Sequence, residues 1–304
     1  MLPDLGPVGL GTGPFGAQPE SLREQSEAAV HAALAHGVRH FDTAPFYGLG
    51  QAERWLGNAL AGVERDSFVV STKVGRSPVG INGEQRAEFD FSRDSVLRSV
   101  EESLTRLGLD AVDIVLIHDP DDHGEQALSE TYPALAELRS QGTVAAIGLG
   151  MNQWQMPARF IAETDPDVVL LAGRYTLLDQ SAGAEFLPLA MDRGVAVITA
   201  GVFNSGVLAH EDPHGTYNYA PAPPDVLDRA RRTAEVCRSH GVSLPQAALA
   251  FPKRHPAVTS VLVGAVSADQ VERNLHLLDR PVPAALWIDL AEAGLIAGGA
   301  TDER

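Results

Sequence analysis

Phe68-Val-Val-Ser-Thr-Lys-Val74 is the run from which the fold can be read. It is short, rich in valine and bounded by polar residues, as expected of a strand buried on both faces of a parallel sheet. Similar runs recur on either side. Val8 to Gly13 and His40-Phe41, entered through Gly37-Val38, come before it. Val112 to His118, Val144 to Leu149, Val168 to Leu171, Val195 to Thr199 and Val258 to Val263 follow. Between them lie stretches with helical spacing. The clearest places Val96, Val100, Leu104 and Leu107 on one stripe, opened by Ser92 and closed by Gly108. Others are Ala28 to His36, Glu53 to Leu60, Ala134 to Arg139 and Val271 to Leu278, the first three each followed by a glycine suited to a left-handed cap. Eight strands alternating with helices and no linker predict an α/β protein, a closed (β/α)8 TIM barrel forming a single domain over residues 1–304.

Bulk composition agrees and narrows the function. The chain has 304 residues, 44% of them apolar and 21% charged, enough for a sizeable core. Forty acidic residues against 23 basic ones leave a formal charge of −17, which repels polyanions and argues against nucleic-acid binding. Cys237 has no second cysteine to pair with and sits in a predicted helix, in keeping with a reducing compartment. The first residues show no basic, apolar leader, and no run approaches the ~20 apolar residues of a membrane span. A soluble, cytoplasmic protein is expected.

In such a barrel the catalytic face is the one at the C-terminal ends of the strands, so the residue on which each strand ends is informative. Asp42 ends Val38-Arg-His-Phe-Asp, Lys73 ends Phe68-Val-Val-Ser-Thr-Lys, and His118 ends Asp113-Ile-Val-Leu-Ile-His. A structural ion pair beside a core histidine would also account for these three. Tyr47, in Asp42-Thr-Ala-Pro-Phe-Tyr-Gly48, adds a phenol on the loop leaving the second strand. A phenol of pKa ~10 is a poor acid at neutral pH, but a neighbouring ammonium favours its ionised form. Lys73 is expected to lower the Tyr47 pKa in this way, with Asp42 holding Lys73 and His118 hydrogen-bonding a substrate oxygen.

Taken together and in order, Phe41-Asp-Thr-Ala-Pro-Phe-Tyr-Gly, Ser71-Thr-Lys and Leu116-Ile-His resemble the aldo-keto reductase superfamily. Within it, Gly48-Leu-Gly-Gln-Ala-Glu, His118-Asp-Pro-Asp-Asp, Gly150-Met-Asn-Gln and Leu171-Ala-Gly-Arg-Tyr-Thr-Leu-Leu-Asp-Gln look like bacterial sugar dehydrogenases of the L-fucose or D-threo-aldose type. Pyridoxal 4-dehydrogenases share much of this pattern. The resemblance runs from about Gly9 to Asn274. It implies reversible hydride transfer between a nicotinamide cofactor and a small sugar or aldehyde, with Tyr47 as the base in the oxidative direction.

The resemblance also implies the cofactor contacts: Asn152 for the carboxamide, and Gly11, Thr12, Gly13 and Asp42 near the nicotinamide. Gly201, Phe203 and Ser205 would serve after the seventh strand, and Gly264, Ser267, Gln270 and Asn274 after the eighth. Two positions depart from the family pattern. Ala172 stands where a glutamine is common, and Ala200 where an aromatic residue stacks on the nicotinamide, a role Phe203 could take over. Gly264-Ala-Val-Ser-Ala-Asp-Gln carries no cation before Arg273 to meet a 2′-phosphate, which favours NAD, with NADP the alternative. Ser267 and Gln270 equally fit a Ser-x-x-Gln capping box. The expected substrate pocket comprises Phe15, Phe46, Tyr47, His118 and Trp154, with Tyr217 and Tyr219 in the proline-rich stretch His210 to Pro224 as either a lid or a solvated loop. The stretch from Pro78 to Phe91 is a further possible contributor.

Three other readings compete. Gly11-Thr-Gly-Pro-Phe-Gly16 matches a dinucleotide fingerprint, but Pro14 interrupts the helix that should open at its third glycine. His118-Asp-Pro-Asp-Asp-His123 could suggest a metal site, though it reads equally as a polar loop binding sugar hydroxyls; no metal is expected. A non-catalytic nicotinamide-sensing regulatory subunit would keep the pocket without the turnover.

Overall fold

The computed structural model describes residues 1–81 and 84–298. Its strands in chain order are β1 (Val8–Gly11), β2 (His40–Asp42), β3 (Val69–Val74), β4 (Arg76–Ile81), β5 (Glu84–Phe89), β6 (Ile114–His118), β7 (Ala146–Met151), β8 (Val168–Ala172), β9 (Ala196–Ala200), β10 (Thr216–Tyr217), β11 (Ala220–Pro221) and β12 (Val258–Gly264). Eight of them close into a parallel barrel in the order β1-β2-β3-β6-β7-β8-β9-β12, with β12 pairing back onto β1. The expected (β/α)8 barrel is therefore the observed architecture, each strand lying within two or three residues of its predicted bounds.

Alternation along the strands sorts the side chains. Val70, Val115, Ile147 and Val169 pack outward with the helices in the larger core cluster. Val69, Ile114, Leu116, Val168, Leu170, Ile198 and Leu262 form a second cluster inside the barrel. Successive strand residues point to opposite faces, so Ser71 and Lys73 share the inward face of Val69, and His118 shares that of Ile114 and Leu116. The same parity turns His40 and Asp42 inward around the outward Phe41. The barrel interior is thus apolar below and ionisable at its C-terminal end.

The helices follow their sequence signals. Helix α1 is Arg23–Ala35, α2 Gln51–Leu60 and α3 Arg93–Leu107. Ser92 caps α3 by accepting the Ser95 N–H at 3.4 Å, and Gly108 ends it with φ of +64°. Such a cap contributes on the order of 1 kcal/mol. Among the described residues no helix is long and apolar enough to cross a membrane.

Two excursions leave the barrel. After β3 the antiparallel hairpin β4–β5 departs at Gly75 and returns at Asp90, whose N–H bonds the Gly75 carbonyl at 3.0 Å. A Cβ on Gly75 would collide with the Phe91 ring, and its φ of +90° needs glycine. After β9, the stretch read as irregular holds the small β10–β11 pair, tied to the β9 loop by Thr216 Oγ1 donating to the Ser205 carbonyl at 2.6 Å and Tyr219 N–H to Ser205 Oγ at 3.1 Å.

Candidate active site

Three adjacent strands, β2, β3 and β6, deliver Asp42, Lys73 and His118 to one end of the barrel. Lys73 Nζ donates to Asp42 Oδ2 at 2.6 Å and to the Thr43 carbonyl at 2.9 Å. Both members of this ion pair are 2–3% exposed. A pair so buried is costly to break from one side, since the remaining charge has neither water nor partner. Asp42 Oδ1 accepts from Ser71 Oγ at 2.7 Å, and Ser71 lies 2.8 Å from His40 Nε2. Because Ser71 gives its only proton to Asp42, His40 must donate through Nε2. A polar chain His40–Ser71–Asp42–Lys73 therefore runs beneath the site.

Tyr47 closes the group from the loop after β2. Lys73 Nζ is 4.8 Å from the Tyr47 ring centroid, and the Tyr47 and His118 rings meet edge to face at 5.9 Å. Glycines place the tyrosine. A Cβ on Gly48 would stand 2.6 Å from Gly16 Cα, so the loop after β1 and the loop after β2 touch backbone to backbone. Gln51 secures the same contact, its Nε2 donating to the Phe15 and Gln18 carbonyls at 2.8 Å each. Glu53, fully buried, accepts from Thr72 Oγ1 at 2.7 Å and from Arg106 Nε at 2.5 Å, fastening α2 to the outer face of β3.

Burial raises the Tyr47 phenol above its ordinary pKa, while Lys73 pulls it back. The expected lowering is thus corrected: Lys73 acts in the anticipated direction, but desolvation outweighs it. Burial also works against the Lys73 charge, yet Asp42 and Tyr47 hold its pKa above the usual lysine value. Burial, helped by Lys73 and Arg76, drives His118 well below the ordinary histidine range, so its imidazole is neutral. His118 Nδ1 is buried without a partner. Placing the single ring proton on Nε2 leaves a lone pair rather than an N–H stranded at Nδ1. Burial pushes His40 down to about 4.

The model for the aldo/keto reductase family matches residues 7–293. The chain belongs to that family. It is 40% identical to D-threo-aldose 1-dehydrogenase from a Pseudomonas species, an alignment covering 90% of this chain and 89% of that one. It is 38% identical to pyridoxal 4-dehydrogenase from Microbacterium luteolum, over 95% and 94% of the two chains. The solved glycerol dehydrogenase of Gluconobacter oxydans shares the fold, with a TM-score of 0.77 at 22% identity over 98% and 95% of the chains. This aldo/keto reductase is accordingly an oxidoreductase.

Several residues expected around the cofactor line the same end of the barrel. Gly11 stands opposite both Asp42 and Gly264 in the β-sheet register. A Cβ on Gly13 would sit 3.6 Å from the Tyr47 ring, and one on Gly264 2.9 Å from Pro14 Cγ. The glycines bring only backbone to this rim, and Asn152 and Ser205 follow β7 and β9 as polar groups at the same end of the barrel. A nicotinamide nucleotide fits that donor set. Gly201 and Ser205 both have positive φ, and Phe203 is half-buried between them.

Other expected residues are engaged elsewhere. Thr12 is fully buried and donates to the Asp42 carbonyl at 2.9 Å, tying the ends of β1 and β2 together. Phe15, expected in the substrate pocket, is corrected to a core residue: it is fully buried, 6.3 Å from the Trp55 ring. Ser267 and Gln270 cap the helix Ala268–Asp279, Ser267 accepting the Gln270 N–H at 3.3 Å and Gln270 Oε1 the Val266 N–H at 2.8 Å. Asn274 is buried on that helix beside Val8, Leu10 and Val263. Trp154 is half-buried ahead of the helix Gln155–Glu163, and Phe46 lies under the Arg76 guanidinium at 4.1 Å. His123 stacks on Phe89 at 5.6 Å and tilts against Phe91 at 5.4 Å.

Sequence reading missed His40, Glu53 and Arg76. His40 and Glu53 are buried polar residues whose partners come from other elements. The one available signal for His40 was its parity with Asp42 in a buried strand.

Proposed function

We propose that this reductase works as a nicotinamide-dependent dehydrogenase that oxidises a small aldose at C1, prefers NAD to NADP, and reduces small aldehydes in reverse. The observation that carries the reading is the convergence of Tyr47, Lys73, Asp42 and His118 on one end of the barrel. In oxidation the sugar C1 hydroxyl lies between the Tyr47 oxygen and His118 Nε2–H. Tyr47, as phenolate, takes the hydroxyl proton, the O–H electron pair becomes the second C–O bond of the carbonyl, and the C1 hydrogen leaves with its bonding pair as hydride. Nicotinamide, when bound, supplies the hydride acceptor. Lys73 favours the phenolate and Asp42 keeps Lys73 charged and aimed. His118 donates to the oxygen throughout and, being neutral, holds no charge that hydride loss must oppose.

The NAD preference rests on the segment Gly264 to Gln270, where Asp269 is exposed and no lysine or arginine offers a charge-assisted bond to a 2′-phosphate. Asn152 and the loop Gly201 to Ser205 supply the remaining polar contacts. The enzyme acts as one domain in the cytoplasm. A single cysteine, Cys237, with no second one to pair with is in keeping with a reducing compartment, and burial pushes its thiol up to about 12.

The test is absorbance at 340 nm with NAD or NADP and L-fucose, L-galactose, D-arabinose and pyridoxal. Turnover of at least one aldose, faster with NAD, is expected. Oxidation of pyridoxal alone would move the substrate to an aromatic aldehyde. Bound cofactor with no turnover on any member would replace the enzyme by a regulatory subunit.

A further inference from the structure

Arg76 and Asp119 stand at the mouth of the barrel beside His118, and the reaction outlined above uses neither. Arg76 Nη1 donates to Asp119 Oδ2 at 2.8 Å, and that oxygen lies 3.8 Å from His118 Nε2, the atom assigned to the reacting oxygen. The two side chains are 25% and 12% exposed, sheltered but reachable from the mouth. Both are firmly aimed. Arg76 is the first residue after the Gly75 turn, and its guanidinium lies over the ring of Phe46, the neighbour of Tyr47, at 4.1 Å. Asp119 follows His118 with φ of +45°, its N–H held by the Gly150 carbonyl at 3.1 Å. Asp119 Oδ1 receives a long bond, 3.5 Å, from Asn152 Nδ2, and the Asn152 backbone also favours the carboxylate. Arg76 Nε is buried with no partner.

The pair therefore retains both an acceptor and donors after satisfying each other. A carboxylate has about four acceptor sites and a guanidinium five N–H groups, of which their mutual bond uses one each. A hydroxyl, which both donates and accepts, is the group that such a pair can bind in full. It would lie on the carbon next to the one whose oxygen meets His118 and Tyr47, since Asp119 Oδ2 adjoins His118 Nε2. We propose that Arg76 and Asp119 form a specificity subsite for the hydroxyl adjacent to the reacting carbon, selecting polyhydroxylated aldoses over substrates lacking that hydroxyl. This rests on the dehydrogenase reading above and deepens it. When a substrate lacks the C2 hydroxyl, the pair loses its only complete partner, and a buried polar site left unmatched discriminates strongly.

The experiment compares each aldose that is oxidised with its 2-deoxy counterpart, D-arabinose with 2-deoxy-D-ribose for the pentoses, in the wild-type enzyme, Arg76→Leu and Asp119→Asn. The wild type should favour the C2-hydroxylated sugar by about tenfold or more in kcat/KM. In both variants this ratio should collapse toward one, with KM for the hydroxylated sugar rising more than kcat falls. Asp119→Asn preserves shape, and its urea midpoint shows whether the fold is intact. Equal losses on both sugars, or a wild type indifferent to the C2 hydroxyl, would make the pair a structural fastening and end the proposal. A wild type that oxidises no aldose removes the dehydrogenase reading and the subsite with it. One that oxidises aldoses with discrimination unchanged in the variants removes the subsite alone.

Discussion

Gly16 packs against Gly48, backbone on backbone, and this contact sets how far Tyr47 reaches toward Lys73. The glycine string at Gly11 to Gly16, which imitates a phosphate-cradling fingerprint, serves here to let one loop lie on another. Gly16→Ala would place a methyl group inside the Gly48 backbone, so one loop must move. Turnover is expected to fall about tenfold or more, by more than any loss of thermal stability explains, because a small misplacement of a reacting group is costly. Wild-type kcat in Gly16→Ala would show that the contact does not position the tyrosine.

Tyr47→Phe removes the proposed base and leaves the ring in place. A loss on the order of 100-fold or more in kcat is expected, with cofactor affinity by fluorescence titration nearly unchanged. A variant with normal turnover would take Tyr47 out of the mechanism.

Lys73→Met removes the charge that opposes burial at Tyr47, so the acid limb of the pH profile for oxidation, where Tyr47 takes up a proton and ceases to be a base, should move to higher pH. It also strands Asp42, which at 2% exposure should destabilise the fold by about 3–5 kcal/mol. The double variant Asp42→Asn/Lys73→Met should recover much of that stability while keeping the altered profile. An unmoved pH limb in both would confine the pair to a structural role.

His40 gives a stability signature. Its folded pKa of about 4 lies below the ordinary 6.5, so the unfolded chain binds its proton first as pH falls. The stability from keeping His40 neutral is complete above about pH 6.5 and drains away down to pH 4, by about 3 kcal/mol at most. His40→Gln, which retains a donor for Ser71, should flatten the urea-midpoint profile across that window. A wild-type slope in the variant would place the titration elsewhere.

Cofactor choice can be checked by equilibrium binding. With no cation between Gly264 and Gln270, NAD should bind more tightly than NADP, and Ala268→Arg should narrow or reverse the gap. Tighter binding of NADP to the wild type would overturn the preference.

The barrel was legible because strands such as Val69 to Val74 are buried on both faces and must read as apolar runs. The site was legible where a strand ended on an ionisable residue. The hairpin β4–β5 was not, since Pro78 and Gly80 break the apolar pattern of the sequence and, among its described side chains, none is buried to impose alternation. Phe15 was misplaced because a Gly-Pro loop reads as exposed until Trp55, forty residues on, is seen to cover it. Net pKa values were out of reach for a related reason: the charge beside Tyr47 can be read from the chain, but the depth of its burial is set by the whole assembly.

The hairpin leaves the barrel at Gly75 and comes back within one hydrogen bond of its departure, at Asp90. The barrel therefore does not register how long the excursion is. Its first residue, Arg76, belongs to the proposed subsite, while every residue proposed for the proton transfer lies outside it. Selection could exchange this cassette, lengthening or rewriting it, and change what the enzyme accepts while inheriting the chemistry intact.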